Sequence, residues 1–409
     1  MNVYRKEVKL LFVAQNEKGV LINVAERKWT KDRLRSLRDH SDFFCPVCNS
    51  EVELRIGNIV SAHFAHKKIS GCTEQHEAES SYHLQGKLDL YDWLKHNKAV
   101  RNVKLEPYLP KIKQRPDLLA ETENEIVAIE FQCSTTDSKI LVKRTENYQS
   151  LQMKPLWLLG AKRLTRVGMT SFSITPFQWH LTNFTDHSEP PQLYCYCSQT
   201  KAFIVLDSII PFSPRLIFAT HQKIPINSIT FKELINIKIN RRTLYDNWFA
   251  HVKRFRLQLK SFQSKESSLL NITLYKEKQT PITFLPSHAF LPLKTAYLIE
   301  TASYIWQGWL LLFLDKYSIG KEILFQDIYY FFKNRVKEKA IKIRSLYQTN
   351  IHYSYVIREY LNKLCLLSIL KMSSERKYMK ISHIRWETNL EQIIHHDKQL
   401  MEQVNKIFR

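Results

Sequence analysis

The chain has 409 residues, 44% of them hydrophobic, enough for two or three cores of ordinary size, and its 61 Lys+Arg against 39 Asp+Glu give a net charge of +22. Such an excess favours polyanionic partners through counterion release, which admits DNA, RNA and acidic lipid. Seven cysteines, an odd number, and a first segment without an apolar leader exclude a disulfide framework and point to a reducing, cytoplasmic setting, while the most apolar stretch, 301–314, is too short for a spanning helix of about 20 residues.

In chain order, residues 10–14 and 20–22 read as a strand pair turning at Lys18-Gly19, followed by a basic helix near 31–38. Residues 45–76 gather cysteines and histidines. Cys45-Pro46-Val47-Cys48 and His63-Phe64-Ala65-His66 bracket a hairpin predicted over 51–56 and 59–62 with its turn at Gly57-Asn58. Partners there would sum to 115, setting Cys48 opposite Lys67 and next to His66. Two thiolates and two imidazoles, Cys45, Cys48, His63 and His66, suit tetrahedral structural Zn²⁺, with Cys72 or His76 able to replace one histidine. Free cysteines beside a surface histidine pair are the plainer alternative. The short His-x-x-His spacing does not suggest a finger that reads the major groove.

Residues 77–96 have helical periodicity. Strand-like runs follow at 103–109, 116–121 and 125–133, then a helix over 137–151 and a buried strand at 155–159 ended by Gly160. If Glu123-Asn124 is a two-residue turn, cross-strand partners sum to 247 and Asp117 lies opposite Glu130. Facing carboxylates repel, so the arrangement makes sense with a cation such as Mg²⁺ between them. Strand alternation puts Gln132 on the face of Glu130 and sends Val127, Ile129, Phe131 and Cys133 to an apolar layer. Charge alone would equally allow an exposed acidic hairpin.

Arg115-Pro116-Asp117 with Ile129-Glu130-Phe131-Gln132-Cys133-Ser134 resembles the PD-(D/E)XK nuclease superfamily, with Gln132 where the commonest pattern has lysine. Over a longer span the chain is similar to the competence protein CoiA family of naturally transformable Gram-positive bacteria. The Cys-Pro-Val-Cys and His-Phe-Ala-His pairs, Glu79-Ser80 with His83 and Gly86-Lys87, the two strands above, Arg144, Tyr148 and Trp157 carry the likeness over about 43–160. The resemblance implies an αβββαβ core in which Glu79 joins Asp117 and Glu130 at Mg²⁺ (or Mn²⁺), with His83 four residues along the same helix face and Gln132 completing the catalytic set. An amide supplies no positive charge, so Lys87 or Arg144 is the candidate for that role. Lys87, Arg144 and Tyr148 are the candidate nucleic-acid contacts, although a solvated helix face explains the last two as simply.

Residues 161–230 show short β-like pieces broken by prolines and read as a connecting region. From 231 onward the chain turns helical, aromatic and basic. Its clusters are Lys253, Arg254, Arg256 and Lys260; Lys333, Arg335, Lys337, Lys339, Lys342 and Arg344; and Lys371, Arg376, Lys377 and Lys380. Any one of these patches is more simply a solvated helix face than a phosphate site. The order 323–332, 355–371 and a polar turn at 373–378 has the outline of a winged helix. The expectation is an α+β multidomain protein: a zinc-ribbon-like segment over 1–76, a restriction-endonuclease-like domain over 77–165, a connector over 166–230 and a basic helical domain over 231–409. Its expected function is Mg²⁺-dependent DNase or DNA-processing activity in competence, transformation and recombination, with DNA, single-stranded or processed duplex, and recombination or uptake proteins as partners. A degenerate DNA-binding recombination mediator is the second reading, and an RNA-processing nuclease the third.

Overall fold

The computed structural model describes residues 10–57, 61–67, 80–184, 189–241, 243–258, 264–346 and 351–407. It is an α+β structure built on three sheets. The N-terminal unit comprises β1 (Leu10–Leu11), β2 (Val13–Asn16), β3 (Leu21–Asn23), α1 (Lys31–Asp39), β4 (Phe43–Phe44), β5 (Glu51–Arg55) and β6 (His63–His66). Its six strands run β1-β6-β5-β4-β2-β3. The β5–β6 register pairs Val52 with His66 and Arg55 with His63, so partners sum to 118 and not to the expected 115. The second strand is the His-Phe-Ala-His run itself. Every partner is thereby shifted by three residues, and the expected turn at Gly57-Asn58 lies partly outside the described residues.

The central sheet is entered through α2 (Ser81–Lys95), β7 (Val100–Leu105), β8 (Leu118–Thr122), β9 (Ile126–Gln132), α3 (Ser138–Ser150) and β10 (Met153–Gly160). This is the expected αβββαβ order. Local chemistry explains the boundaries: the Ser80 hydroxyl accepts from the His83 N–H to start α2, and Asp137 caps α3 through Lys139. Thr122 and Glu125 close the β8–β9 hairpin around Glu123-Asn124, and Leu118 pairs with Ile129, the register expected from the sequence.

Both faces of β9 are covered. Val127, Ile129 and Phe131 pack toward α2 in one apolar cluster, and Ala128 packs with Leu119 and Tyr148 under α3 in another. Helix α2 comes so close to β9 that a Cβ on Gly86 would lie 2.1 Å from the Phe131 ring. Gly86→Ala is therefore expected to cost about 1–3 kcal/mol by overpacking, read as a lowered denaturation midpoint.

The segment expected to be a connector instead extends the same sheet. It supplies β11 (Thr165–Arg166), β12 (Ser171–Ser173), α4 (Pro176–Trp179), β13 (Leu193–Cys197), β14 (Ala202–Pro211) and β15 (Leu216–Pro225). The nine-stranded order is β11-β12-β15-β14-β13-β10-β9-β8-β7, with β10 parallel to both β9 and β13. The prolines mislead because they sit at ends, not interiors: Pro176 opens α4, and Pro211 and Pro225 finish two ten-residue strands.

Beyond it come α5 (Phe231–Ile235), α6 (Leu244–Arg256), α7 (Lys265–Lys278), α8 (Ser303–Asp315), β16 (Glu322–Leu324), α9 (Phe325–Lys337), α10 (Ser354–Leu366), β17 (Leu370–Ser374), β18 (Lys377–Lys380) and α11 (Leu390–Ile407). This mostly helical half shares its core with the sheet: Trp157, Phe172 and Phe218 pack in one cluster with Trp248, Trp306 and Tyr360. Several residues of the expected basic patches are internal. Arg256 is buried against Asp397 and the Thr283 and Leu285 carbonyls, Arg344 lies 4.0 Å over the Trp179 ring, and Lys380 is bonded to Asp315. Their charge serves packing and is not offered to solvent. Among the described residues, no helix is long and apolar enough to cross a membrane.

Candidate active site and metal centre

Asp117 immediately precedes β8, whose first residue, Leu118, pairs with Ile129 next to Glu130 on β9. The two carboxylates nevertheless turn to different partners. Asp117 Oδ2 accepts the Phe131 N–H at 2.8 Å and lies 3.4 Å from His83 Nε2, while Oδ1 is 3.8 Å from Lys87 Nζ. Glu130 Oε1 accepts from the Arg144 guanidinium and from the Tyr148 hydroxyl. A cation between them is thus not needed to relieve their repulsion, contrary to the sequence argument, because each carboxylate has its own cationic neighbour.

Burial alone would raise the Asp117 carboxyl, but His83, Lys87 and the Phe131 N–H hold it well below the usual carboxylate range. Glu130 goes the other way: burial pushes it up, the Arg144 guanidinium pulls against that, and Asp117 reinforces the rise. Burial and Glu130 together push the Tyr148 hydroxyl well up, so it stays a donor.

Lys87 and Tyr148, expected to meet a phosphate backbone, are both 0% exposed. Lys87 pairs inside the protein with Glu106 and lies 5.5 Å over the Phe12 ring. Arg144 is largely buried and also donates to the Arg115 carbonyl at 3.0 Å. None of the three forms an open binding face as the structure stands. The Gln132 amide donates to the Ser134 carbonyl at 3.0 Å. Glu79 lies outside the described residues, as do Cys72 and His76.

Glu106 is the residue that sequence reasoning missed. It follows β7 with φ +49°, and its Oε2 accepts the Phe12 N–H at 2.9 Å, tying the N-terminal unit to the pair beside Asp117. Burial would raise it, but Lys87 and Arg115 bring it below its ordinary value. Its position next to Pro107 gives no hint of this, because both partners are distant in sequence.

In the N-terminal unit, Cys45, Cys48 and His66 bring their ligand atoms within 4.8 Å of one another, with Cys48 Sγ 3.5 Å from His66 Nε2. A tight turn does this: the Asn49 N–H bonds the Cys45 carbonyl at 2.9 Å, and Asn49 takes φ +55°. The three form a candidate metal site whose thiolate and imidazole donors suit structural zinc. His63 does not join them. Three residues from His66 on one strand, it falls on the opposite face, and its Nδ1 lies 2.8 Å from the Ser61 carbonyl.

Three family descriptions match the chain: "Competence protein CoiA, N-terminal domain" over residues 26–75, "Competence protein CoiA, nuclease-like domain" over 79–239, and "Competence protein CoiA, C-terminal domain" over 244–394. The second match ends near the end of the nine-stranded sheet, in agreement with the extension past β10. The competence protein CoiA of Bacillus subtilis (strain 168) is 33% identical over 339 residues, 82% of this chain and 89% of the relative. No solved structure matches the chain.

Proposed function

Because the chain belongs to the competence protein CoiA family and carries its nuclease-like domain, we propose that it is a Mg²⁺-dependent DNase that processes DNA during competence and transformation. The observation that carries this reading is the pair of acids, Asp117 and Glu130, brought within electrostatic reach of each other by one tight hairpin in a sheet enclosed by α2 and α3. Carboxylate oxygens are the donor type that Mg²⁺ takes. Asp117 and Glu130, with Glu79, would hold the ion. Bound there, it would activate a water and stabilise charge on a scissile phosphate.

The chain's own residues do the rest. His83, Lys87 and the Phe131 N–H keep Asp117 ionised and aimed. Arg144 and Tyr148 orient Glu130. Lys87 places a positive charge beside Asp117, taking over electrostatically from the lysine that Gln132 replaces, though from inside the protein.

The test is incubation of the full chain with duplex DNA, single-stranded DNA and matched RNA, in Mg²⁺, in Mn²⁺ and in chelator. DNA cleavage that appears only with metal is expected; cleavage absent under every condition sinks the reading. Preference for RNA would move it to RNA processing.

One observation favours a second reading, a DNA-binding recombination mediator without turnover. Glu130 is already satisfied by Arg144 and Tyr148, and Gln132 brings no charge. Tight DNA binding in chelator, unaltered by Glu130→Ala and without cleavage, is its signature.

For the N-terminal cluster we propose structural Zn²⁺ held by Cys45, Cys48 and His66 with a fourth ligand from Cys72 or His76. Elemental analysis after exhaustive dialysis is expected to give one zinc per chain, lost in Cys45→Ala/Cys48→Ala. Metal-free protein with an unchanged melt counts against it.

A further inference from the structure

Residues 303–380 run α8, β16, α9, α10, β17, β18, and the three strands form a sheet in the order β16-β18-β17. Helix, strand, two helices and a terminal hairpin whose last strand inserts between the other two is winged-helix topology. Between α9 and α10, Ile343 bridges Ile299.

Helix α10 is two-faced. Val356, Ile357, Tyr360, Leu361 and Leu364 are buried, whereas Tyr355, Arg358, Asn362 and Leu366 are exposed at the spacing of a single helix face. Next to that face the β17–β18 hairpin keeps Lys371 through Lys377 exposed without interruption. Lys371, Arg376 and Lys377 lie along it. Glu375 at the turn and Glu322, 3.6 Å from Lys377, are the acids beside them. The hairpin base is rigid: buried Lys380 bonds Asp315 at 3.0 Å, and Tyr378 packs in the core. Tyr355, Leu366 and Met372 are each more than half exposed.

We infer that α10 and the β17–β18 hairpin form a docking surface for duplex DNA, separate from the Asp117 and Glu130 centre. The charge pattern selects this occupant. Four exposed cations, Arg358, Lys371, Arg376 and Lys377, flank a helix of 13 residues whose open face mixes an amide, a ring and an aliphatic chain. That is the equipment of a helix lying in a major groove with a hairpin on the adjoining backbone: cations meet phosphates, Asn362 meets base edges, and the apolar groups meet sugars and thymine methyls. A single-strand surface would instead present stacked rings along a groove. The surface shares DNA with the proposed nuclease but needs none of its chemistry.

The experiment is fluorescence anisotropy of the full chain with a 30-base-pair duplex and the matching single strand, in chelator, across a salt series. R358A/K371A/R376A/K377A is expected to raise the duplex Kd at least about tenfold and to reduce the log–log salt slope by about 3–4, at 0.9 per lost phosphate contact. K371A/R376A, which leaves α10 untouched, should reduce the slope by about 2 with an unchanged melt, so a folding defect in the fourfold variant does not decide the matter. K31A/R33A/R35A/R38A on α1 removes the same charge elsewhere and should leave both quantities within about twofold. Duplex binding unchanged in the two hairpin variants overturns the assignment. So does a loss that falls equally on the α1 control, or one larger for the single strand. Because no metal is present, failure of cleavage leaves this result standing.

Discussion

Replacing Asp117 with asparagine is expected to reduce metal-dependent DNA cleavage by at least about a thousandfold, the scale at which removal of one transition-state stabiliser is felt. Asparagine keeps an oxygen to accept the Phe131 N–H and keeps the shape of the site, but it withdraws the charge that His83 and Lys87 surround. The fold should survive, because Lys87 retains Glu106. DNA binding in chelator should stay within about twofold of the parent, which separates lost chemistry from lost grip. Cleavage by the variant at the parent rate would place the metal centre elsewhere.

The same substitution carries a pH signature in stability. Asp117 titrates below its unfolded value in the native protein, so its ionised form contributes stability above about pH 4 that is lost as pH falls through the depressed native value. In Asp117→Asn that acid-side loss should be smaller. Glu130 has the opposite sign: its raised native value favours folding at low pH and costs stability as pH rises through it. Guanidinium melts carried from pH 7 down to about pH 2 follow the two contributions.

How far the sequence disclosed this site depends on turn length and chain distance. The β8–β9 hairpin is legible because two residues, Glu123-Asn124, set one register, and Leu118 pairs with Ile129 as the arithmetic requires. The β5–β6 register differs by three residues from the expected one, and His63, expected as a ligand because it stands in the His-x-x-His pair, lies three residues from His66 on one strand and so on its opposite face. Cys45, Cys48 and His66 still meet, because the Cys-x-x-Cys turn and not the hairpin register delivers the thiolates.

What remained hidden was the set of partners assembled by the tertiary fold. Nothing near Lys87 in the chain announces burial; it is enclosed only when Phe12 from one sheet and Glu106 from the edge of another close over α2. The strands of 193–225 were hidden for a different reason. Their proline punctuation resembles that of a linker, and only pairing β13 parallel to β10 shows it to be the ends of long strands. For Arg256, Arg344 and Lys380, composition registered charge but could not show that carboxylates, carbonyls and an indole would cover it.

Lys87 yields the largest expected change in stability. Its side chain is fully enclosed, and Glu106 opposite is almost equally so. Lys87→Met preserves most of the volume but leaves buried Glu106 with only the Arg115 charge and Asp117 with one cation fewer, so a loss of about 3–5 kcal/mol is expected. The damage should spread to the N-terminal unit, because the Glu106 carboxylate that accepts the Phe12 N–H would then favour protonation. Lys87→Met/Glu106→Gln tests the cause: with both charges gone the amide still accepts from Phe12, and much of the loss should be recovered. A coupling of 1 kcal/mol or more between the two positions, from urea melts of the four species, identifies a buried pair. A single-variant loss under about 1 kcal/mol would show instead that Lys87 reaches solvent and that its charge does not support Asp117. If the double variant is stable but still cleaves poorly, Lys87 contributes to the chemistry as well as to the fold.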